Sequence, residues 1–182
     1  VEIVHEDLRP SAILTRAAFL NAVRVNSALG GSTNAQPHLA AMASAAGGML
    51  HPQDWQVHGH DIPLLADVQP AGRFLGERFH RAGGVPAVMT ELLSAGKLDG
   101  DCPTITGQTV ARNLEGRLAT DREVIRPYAQ PLKDRAGFQV LSGNLFDFAI
   151  MKTSVISDEF RARYLSTRGQ EGCFEGRAIV FD

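Results

Sequence analysis

Apolar positions recur at helical spacing near the start of the chain. The stripe consists of Phe19, Ala22 and Val23, with Asn26 as its polar exception. This spacing predicts a helix over residues 12–29 with Thr15 as its N-cap, ended by Gly30-Gly31. A second helix is predicted from about Asn34 to Ala46, because Pro37 fits a first helical turn and Gly47-Gly48 follows.

The middle of the chain alternates polar and apolar stretches. Residues 51–61 are polar and predict a loop, whereas the apolar run at 62–68 predicts a buried strand followed by a turn at 69–72. A short helix is predicted over 73–81. A further helix begins near Pro86 and ends at Gly96. Its apolar stripe is Val88, Met89, Leu92 and Leu93.

The pattern changes in the last third. A loop at 99–103 precedes a helix that is predicted to begin near Gly107 and to run through Val110 to Leu114. Residues 120–136 are polar, contain two prolines and predict a linker. Strand-like runs follow at 138–141, 148–151 and 178–181. The pattern therefore predicts α/β structure up to about residue 130, then the opening strands of a separate β-rich unit.

Composition restricts the function classes. The 182 residues are 44% hydrophobic and 21% charged, with a formal net charge of −2. These values are typical of a globular protein and give no indication of nucleic-acid or membrane binding. No apolar run approaches the ~20 residues of a membrane span, and no signal peptide is visible. Cys102 and Cys173 are too few and too distant for a disulfide framework, so a cytoplasmic protein is expected.

Gly30-Gly31-Ser32-Thr33-Asn34 is the most informative stretch for chemistry. Two glycines permit a tight turn, and two hydroxyls and an amide then stand at a helix N-terminus, where an anion or a polyhydroxylated molecule would be stabilised. The alternative is a glycine helix stop followed by an ordinary cap, which requires no ligand. On these residues alone, both interpretations stay open.

Other polar groupings favour structural interpretations. The histidines at 51, 58 and 60 lack the further ligands of a zinc site and are expected on a surface loop. Asp99-Gly100-Asp101 lacks the remaining positions of an EF-hand and predicts a turn. Arg73, Glu77 and Arg81 have the spacing of exposed ion pairs on one helix face.

Several blocks together resemble the family of dihydroxy-acid and phosphogluconate dehydratases. These blocks, in the order and at the spacing typical of the family, are Ala28 to Ala35, Leu65 to Gly72, His80 to Met89 and Gly100 to Gly107. The sugar-acid branch is favoured by further stretches, namely 34–38, Asp54-Trp55, 144–157 and 174–178. Phe146-Asp147 does not match the sequence typical of the branched-chain biosynthetic members.

The resemblance implies a function. We expect a fragment of a hydro-lyase that dehydrates a pentonate, such as arabinonate or xylonate, to a 2-keto-3-deoxy acid. A dihydroxy-acid dehydratase of branched-chain amino-acid biosynthesis is the first alternative, and a non-catalytic binding module on the same scaffold is the second. The chain begins at Val1 and ends within a predicted strand, so we expect an internal segment that is inactive alone.

The resemblance also implies a fold, cofactors and partners. Residues 1–130 would be the C-terminal part of a three-layer α/β domain, and 131–182 a linker with the first strands of a β-barrel-like domain. A [2Fe–2S] cluster would act as Lewis acid on the departing C3 hydroxyl, and Mg²⁺ would hold the substrate carboxylate and the neighbouring hydroxyl. A serine would act as base, and the residues of all three would lie outside this segment. Neither Cys102 nor Cys173 matches a cluster-ligand motif. Within the chain only Gly31, Ser32, Thr33 and Asn34 are expected to bind the sugar acid, in a homodimer or homotetramer.

Overall fold

A computed structural model of the chain describes residues 2–160 together with Ala162, Arg177 and Ile179. The helices are α1 (Glu2–His5), α2 (Pro10–Ile13), α3 (Arg16–Ala28), α4 (Ala35–Ala45), α5 (Pro52–Gly59), α6 (Gly76–Arg81), α7 (Gly84–Ser94), α8 (Val110–Asn113) and α9 (Asp158–Phe160), and the strands are β1 (Phe138–Leu141) and β2 (Ala149–Lys152). Cys173 and most of the predicted strand at 178–181 lie outside the described residues. No described helix is long and apolar enough to cross a bilayer.

Helix α3 begins and ends where its sequence signals predict. The Thr15 hydroxyl accepts a hydrogen bond from the Ala18 N–H at 3.3 Å, which caps the first turn. At the other end, Gly30 has φ +58°, and the N–H groups of Gly30 and Gly31 donate to the carbonyls of Ser27 and Asn26 at 3.0 and 2.9 Å. This pair of bonds is a Schellman motif, so the predicted glycine stop is confirmed.

Helices α3 and α7 build the main core. In the predicted stripe of α7, Val88 and Leu92 are fully buried, whereas Met89 and Leu93 pack at the edge of the core. The remaining buried members of this cluster are Ala28, Ile62, Leu65, Ala82, Ala87, Leu98, Val124 and Ile125. A second cluster comprises Phe19, Val23, Ala43, Leu50, Trp55 and Phe138.

The predicted strand at 62–68 is extended and buried, but it joins no regular sheet within the described residues. Isolated antiparallel bridges pair Leu64 with Lys133 and Ala66 with Ile125. The partner segment, 120–136, carries two prolines and cannot continue a ladder between those bridges. Because Val124 and Ile125 are fully buried, this polar segment packs on the core. The division of the chain at residue 130 stays a prediction.

The predicted loop at 51–61 is wrong, since these residues form α5. His51 and Asp54 make a reciprocal capping box, and Pro52 occupies the first helical position. Trp55 is fully buried and meets Phe138 edge to face, with ring centroids 5.0 Å apart. Trp55 is the one large apolar residue that this helix buries, because Val57 is exposed, and it packs α5 against the strand that follows much later in the chain.

The last described part is a two-stranded hairpin. Strands β1 and β2 pair antiparallel, with Phe138 opposite Lys152 and Leu141 opposite Ala149, as the two strand-like runs predicted. Together with the helices, the hairpin makes the described chain a mixed helix and strand structure, consistent with the α/β class.

Candidate functional site

The Gly31–Asn34 stretch links α3 to α4, and its backbone donors are largely engaged. The Ser32 hydroxyl accepts from the Asn34 N–H at 3.1 Å. The N–H groups of Ala35 and Gln36 donate to carbonyl oxygens three residues earlier, at 3.2 and 3.1 Å, and Pro37 has no N–H. The first turn of α4 is therefore capped by its own chain, which supports the capping interpretation of Ser32.

Two side chains in the same stretch, those of Thr33 and Asn34, do not cap the helix. Within the described part of the chain, neither the Thr33 hydroxyl nor the Asn34 amide makes a hydrogen bond. Asn34 holds the N-cap position with φ −62° and ψ −21°, yet its side chain caps nothing. Thr33 is half-buried and Asn34 is exposed. A hydroxyl and an amide thus stand beside the positive end of α4 with their hydrogen-bonding capacity unused.

Both glycines of the turn have close neighbours within the chain. A Cβ on Gly31 would overlap the Asn26 carboxamide oxygen, and the Asn26 amide donates to the Ser32 carbonyl at 3.3 Å. A Cβ on Gly30 would come within 2.8 Å of Leu64 Cδ1 and 3.2 Å of Ser154 Oγ. Close packing at both positions, and a positive φ at Gly30, account for these glycines without a ligand.

A cavity of about 200 Å³ lies against Gly30. It is lined by Leu29, Gly30, Leu64, Ala66, Asp67, Val68, Ala71, Gly72, Leu132, Lys133 and Ser154. None of the four residues from Gly31 to Asn34 contributes to its wall. The predicted binding residues and this cavity are neighbours along the chain but are separate features.

The three histidines do not assemble a metal site. His51 caps α5, and half-buried His58 lies 3.3 Å from the Arg24 guanidinium through Nδ1. Burial and the Arg24 charge lower the pKa of His58, so this ring is neutral at pH 7 and accepts from Arg24. No group of three or more His, Cys, Asp or Glu side chains among the described residues could hold a metal ion. The described residues alone therefore offer no set of three such ligands for an iron–sulfur cluster or Mg²⁺.

The 99–101 turn has a partner that the sequence did not reveal. The buried side chain of Asn21 accepts from the Asp99 N–H and donates to the Asp99 carbonyl, both at 2.9 Å. Its amide also lies 3.5 Å from Cys102 Sγ. Burial, with the nearby Asp99 carboxylate, raises the pKa of Cys102, which keeps this free thiol protonated. The Asn21 side chain therefore positions the turn through hydrogen bonds to the backbone of Asp99, and no sequence motif predicted this contact.

The predicted ion pairs on α6 are half right. Arg81 binds Glu77 at 2.6 Å with both side chains exposed. Arg73 lies before the helix and binds Asp67 instead, with its Nε 2.6 Å from Oδ2. Its backbone N–H also donates to Asp67 Oδ1 at 2.7 Å. These bonds satisfy a carboxylate that is almost fully buried.

Comparison with known proteins decides the family. The family model described as dihydroxy-acid/6-phosphogluconate dehydratase, N-terminal, matches residues 1–113. The chain belongs to this dehydratase family.

Relatives within the dehydratase family match the chain from end to end. It is 60% identical over 182 residues to a D-xylonate dehydratase of Caulobacter vibrioides, and 42% identical over 184 residues to an L-arabonate dehydratase of Azospirillum brasilense. A dihydroxy-acid dehydratase of Lactococcus lactis subsp. cremoris is 40% identical over 184 residues. These matches cover 99–100% of the chain but 30% of each relative, so the chain spans less than a third of their length.

Proposed function

We propose that the complete protein containing this chain is a hydro-lyase that dehydrates a pentonate, with xylonate or arabinonate as substrate, to a 2-keto-3-deoxy acid. The observation that carries the proposal is the 60% identity to a D-xylonate dehydratase along the whole chain. Identity to dihydroxy-acid dehydratases is about 40% over comparable lengths, which makes the branched-chain substrate the weaker candidate. A non-catalytic module on this scaffold is the remaining alternative.

The proposed enzyme carries a [2Fe–2S] cluster and Mg²⁺, with ligands and a serine base in parts of the protein outside this chain. When bound, such metals supply Lewis-acid polarisation of the substrate oxygens. The absence of a metal-binding group among residues 2–160 means that no step through them is assigned to this chain. Because the chain spans 30% of the length of these relatives, we expect the 182-residue chain alone not to catalyse dehydration.

Within this chain, Gly31, Ser32, Thr33 and Asn34 are proposed to form the segment that binds the sugar acid. The Thr33 hydroxyl and the Asn34 amide would exchange hydrogen bonds with the substrate hydroxyls or carboxylate, because these groups have no partner in the described chain. Ser32 would act indirectly, since its hydroxyl already accepts from the Asn34 N–H. The dipole of α4 would favour the negative end of the substrate.

The wider architecture is part of the same proposal. Residues 1–130 would complete a three-layer α/β domain, and 131–182 would begin a β-barrel-like domain in a cytoplasmic homodimer or homotetramer. The β1–β2 hairpin, which starts at Phe138, supports a β-rich unit at this place in the chain. The formal net charge of −2 supports a small-molecule substrate rather than nucleic acid.

Turnover by the complete protein tests the function. Formation of the 2-keto acid would be measured with xylonate, arabinonate and a branched-chain 2,3-dihydroxy acid at equal concentrations. A kcat/KM that is highest for a pentonate supports the proposal. Preference for the branched-chain acid would transfer the protein to the biosynthetic branch, and no turnover of any of them by the metal-loaded protein would favour the non-catalytic module.

Asn34→Ala in the complete enzyme tests the binding residues. Loss of one hydrogen bond to substrate should lower kcat/KM about tenfold, equivalent to ~1.4 kcal/mol. Stability should stay unchanged, because the Asn34 side chain caps nothing. Ser44→Ala, an exposed change near the far end of α4, is the matched control and should leave the kinetics unaltered. Wild-type kcat/KM in Asn34→Ala would remove Asn34 from the site.

A further inference from the structure

The cavity behind Gly30 has mainly aliphatic walls. They are formed by Leu29, Leu64, Ala66, Val68, Ala71 and Leu132. An apolar cavity of ~150 Å³ is known to admit benzene, so a cavity of about 200 Å³ has room for a molecule of roughly six or seven non-hydrogen atoms. Binding pockets typically combine such walls with a few polar groups that fix the orientation of the ligand.

Ser154 supplies one of those polar groups. It is 4% exposed, and its hydroxyl oxygen has no hydrogen-bond partner in the described chain. The preceding residue is fixed, since the Thr153 hydroxyl and N–H both donate to the Gly137 carbonyl, at 2.6 and 3.1 Å. A buried hydroxyl that the fold holds at a cavity wall without a protein partner is costly unless something in the cavity binds it.

Lys133 supplies the second polar group of the cavity wall. Its ammonium donates to the carbonyls of Ser154 and Ile156 at 3.1 and 3.0 Å, which occupies two of its three N–H groups. No carboxylate forms an ion pair with Lys133 among residues 2–160. The acidic group in the wall, Asp67, is already neutralised by Arg73, 2.6 Å away. The cavity wall therefore retains the positive charge of Lys133, whose third N–H group has no acceptor among the described residues and lies near Ser154.

From this combination the geometry points to a binding site for a short aliphatic monocarboxylate. The carboxylate is bound by Lys133 Nζ and Ser154 Oγ, and the hydrocarbon part lies against Leu29, Leu64 and Leu132. A sugar acid does not suit the cavity, because most of its hydroxyls would face aliphatic walls and lose their hydrogen bonds to water. The site is thus distinct from the proposed substrate residues and does not depend on the proposed function.

Isothermal titration of the complete protein with isobutyrate tests the site. Saturable binding is expected at pH 7, together with about tenfold weaker binding of isobutyramide, which has the same shape without the charge. Ser154→Ala is expected to weaken isobutyrate binding about tenfold, because it removes one of the two groups that bind the carboxylate. Ser44→Ala, an exposed serine outside the cavity, is the matched control and should bind as the wild type does.

The contrary outcomes are equally definite. Absence of saturable binding, or equal affinities for isobutyrate and isobutyramide, would overturn the proposal. So would unchanged affinity in Ser154→Ala, or a crystal soaked in isobutyrate that shows an ordered water only beside Ser154. The comparison of acid with amide needs no substitution at Lys133, which is useful because that side chain also holds two carbonyls in place.

Discussion

Asp54 should contribute more to stability than any exposed charge of the chain. This carboxylate is 7% exposed. It accepts the His51 N–H at 2.8 Å and two guanidinium N–H groups of Arg16, at 2.6 and 3.2 Å. The change Asp54→Asn keeps the shape but removes the charge and one acceptor oxygen, and it turns an amide donor toward Arg16.

The size of the effect follows from these contacts. Hydrogen bonds to charged groups contribute ~1.5–3 kcal/mol. Arg16 is half exposed and stays solvated when its partner is lost, which limits the damage. We therefore expect Asp54→Asn to lower the free energy of unfolding by about 2 kcal/mol, or Tm by ~4–8 °C for a chain of this size.

The pH dependence provides a second check. Burial raises the pKa of Asp54, but the Arg16 hydrogen bonds, the His51 N–H and the nearby positive charges outweigh it, so the pKa lies below its ordinary value. A carboxylate with a lowered folded pKa stabilises the fold above its unfolded pKa, near 4, and loses this contribution as the pH falls through the folded pKa. The Tm difference between wild type and variant should be constant from pH 5 to 7 and shrink below about pH 4.

Trp55 supplies the assay. It is the one tryptophan of the chain and is fully buried beside Asp54, so its fluorescence reports unfolding of this region. Asp61→Asn is the matched control, because Asp61 pairs with Arg135 at 2.9 Å but both side chains are exposed, and such pairs contribute little. Equal Tm values for both variants, or a Tm difference from wild type that persists unchanged to pH 2, would refute the role assigned to Asp54.

Two further changes test the Gly30 turn and the buried thiol. Gly30→Ala should lower the free energy of unfolding by ~1–3 kcal/mol, because Gly30 has φ +58° and an added Cβ would contact Leu64. The loss should be clearly larger than for Gly47→Ala, where φ is +80° but no atom lies within 4 Å of the added Cβ. Equal losses in the two variants, measured by thermal unfolding, would mean that the contact with Leu64 is harmless. In a Cys173→Ser background, Cys102 should react with iodoacetamide far more slowly when the chain is folded than in denaturant, since burial raises its pKa; equal rates would contradict its burial.

Helices with a continuous apolar stripe and glycine stops could be predicted from sequence. α3 and α7 each combine both signals, and each ends in a Schellman motif. α5 could not be found in this way, because its buried face includes Asp54 and Gly59 beside Trp55. Gly59 is buried because α3 passes close to it: a Cβ there would lie 2.8 Å from Ser27 Oγ. Pro52 followed by Asp54 is a signal for a helix start, but the polar composition of residues 51–61 favours a loop over a helix.

The candidate site shows the same limit. The Gly-Gly-Ser-Thr-Asn stretch identified a helix stop and a helix start at the right place, but which side chains are used within the chain depends on hydrogen bonds that only the structure reveals. Ser32 is occupied by the cap, whereas Asn34 is not. The cavity beside Gly30 gathers Leu64, Lys133 and Ser154 from three distant stretches, and no local pattern could bring them together.

The pairing of residues 62–68 with 120–136 restricts how this gene segment can be exchanged. Leu64 shares two backbone hydrogen bonds with Leu132 and Lys133, and Leu65 accepts one from Arg126. A recombination breakpoint between these stretches would join halves from different parents across these isolated backbone bridges. Chimeras that inherit both stretches from the same parent should therefore be recovered more often than those that divide them.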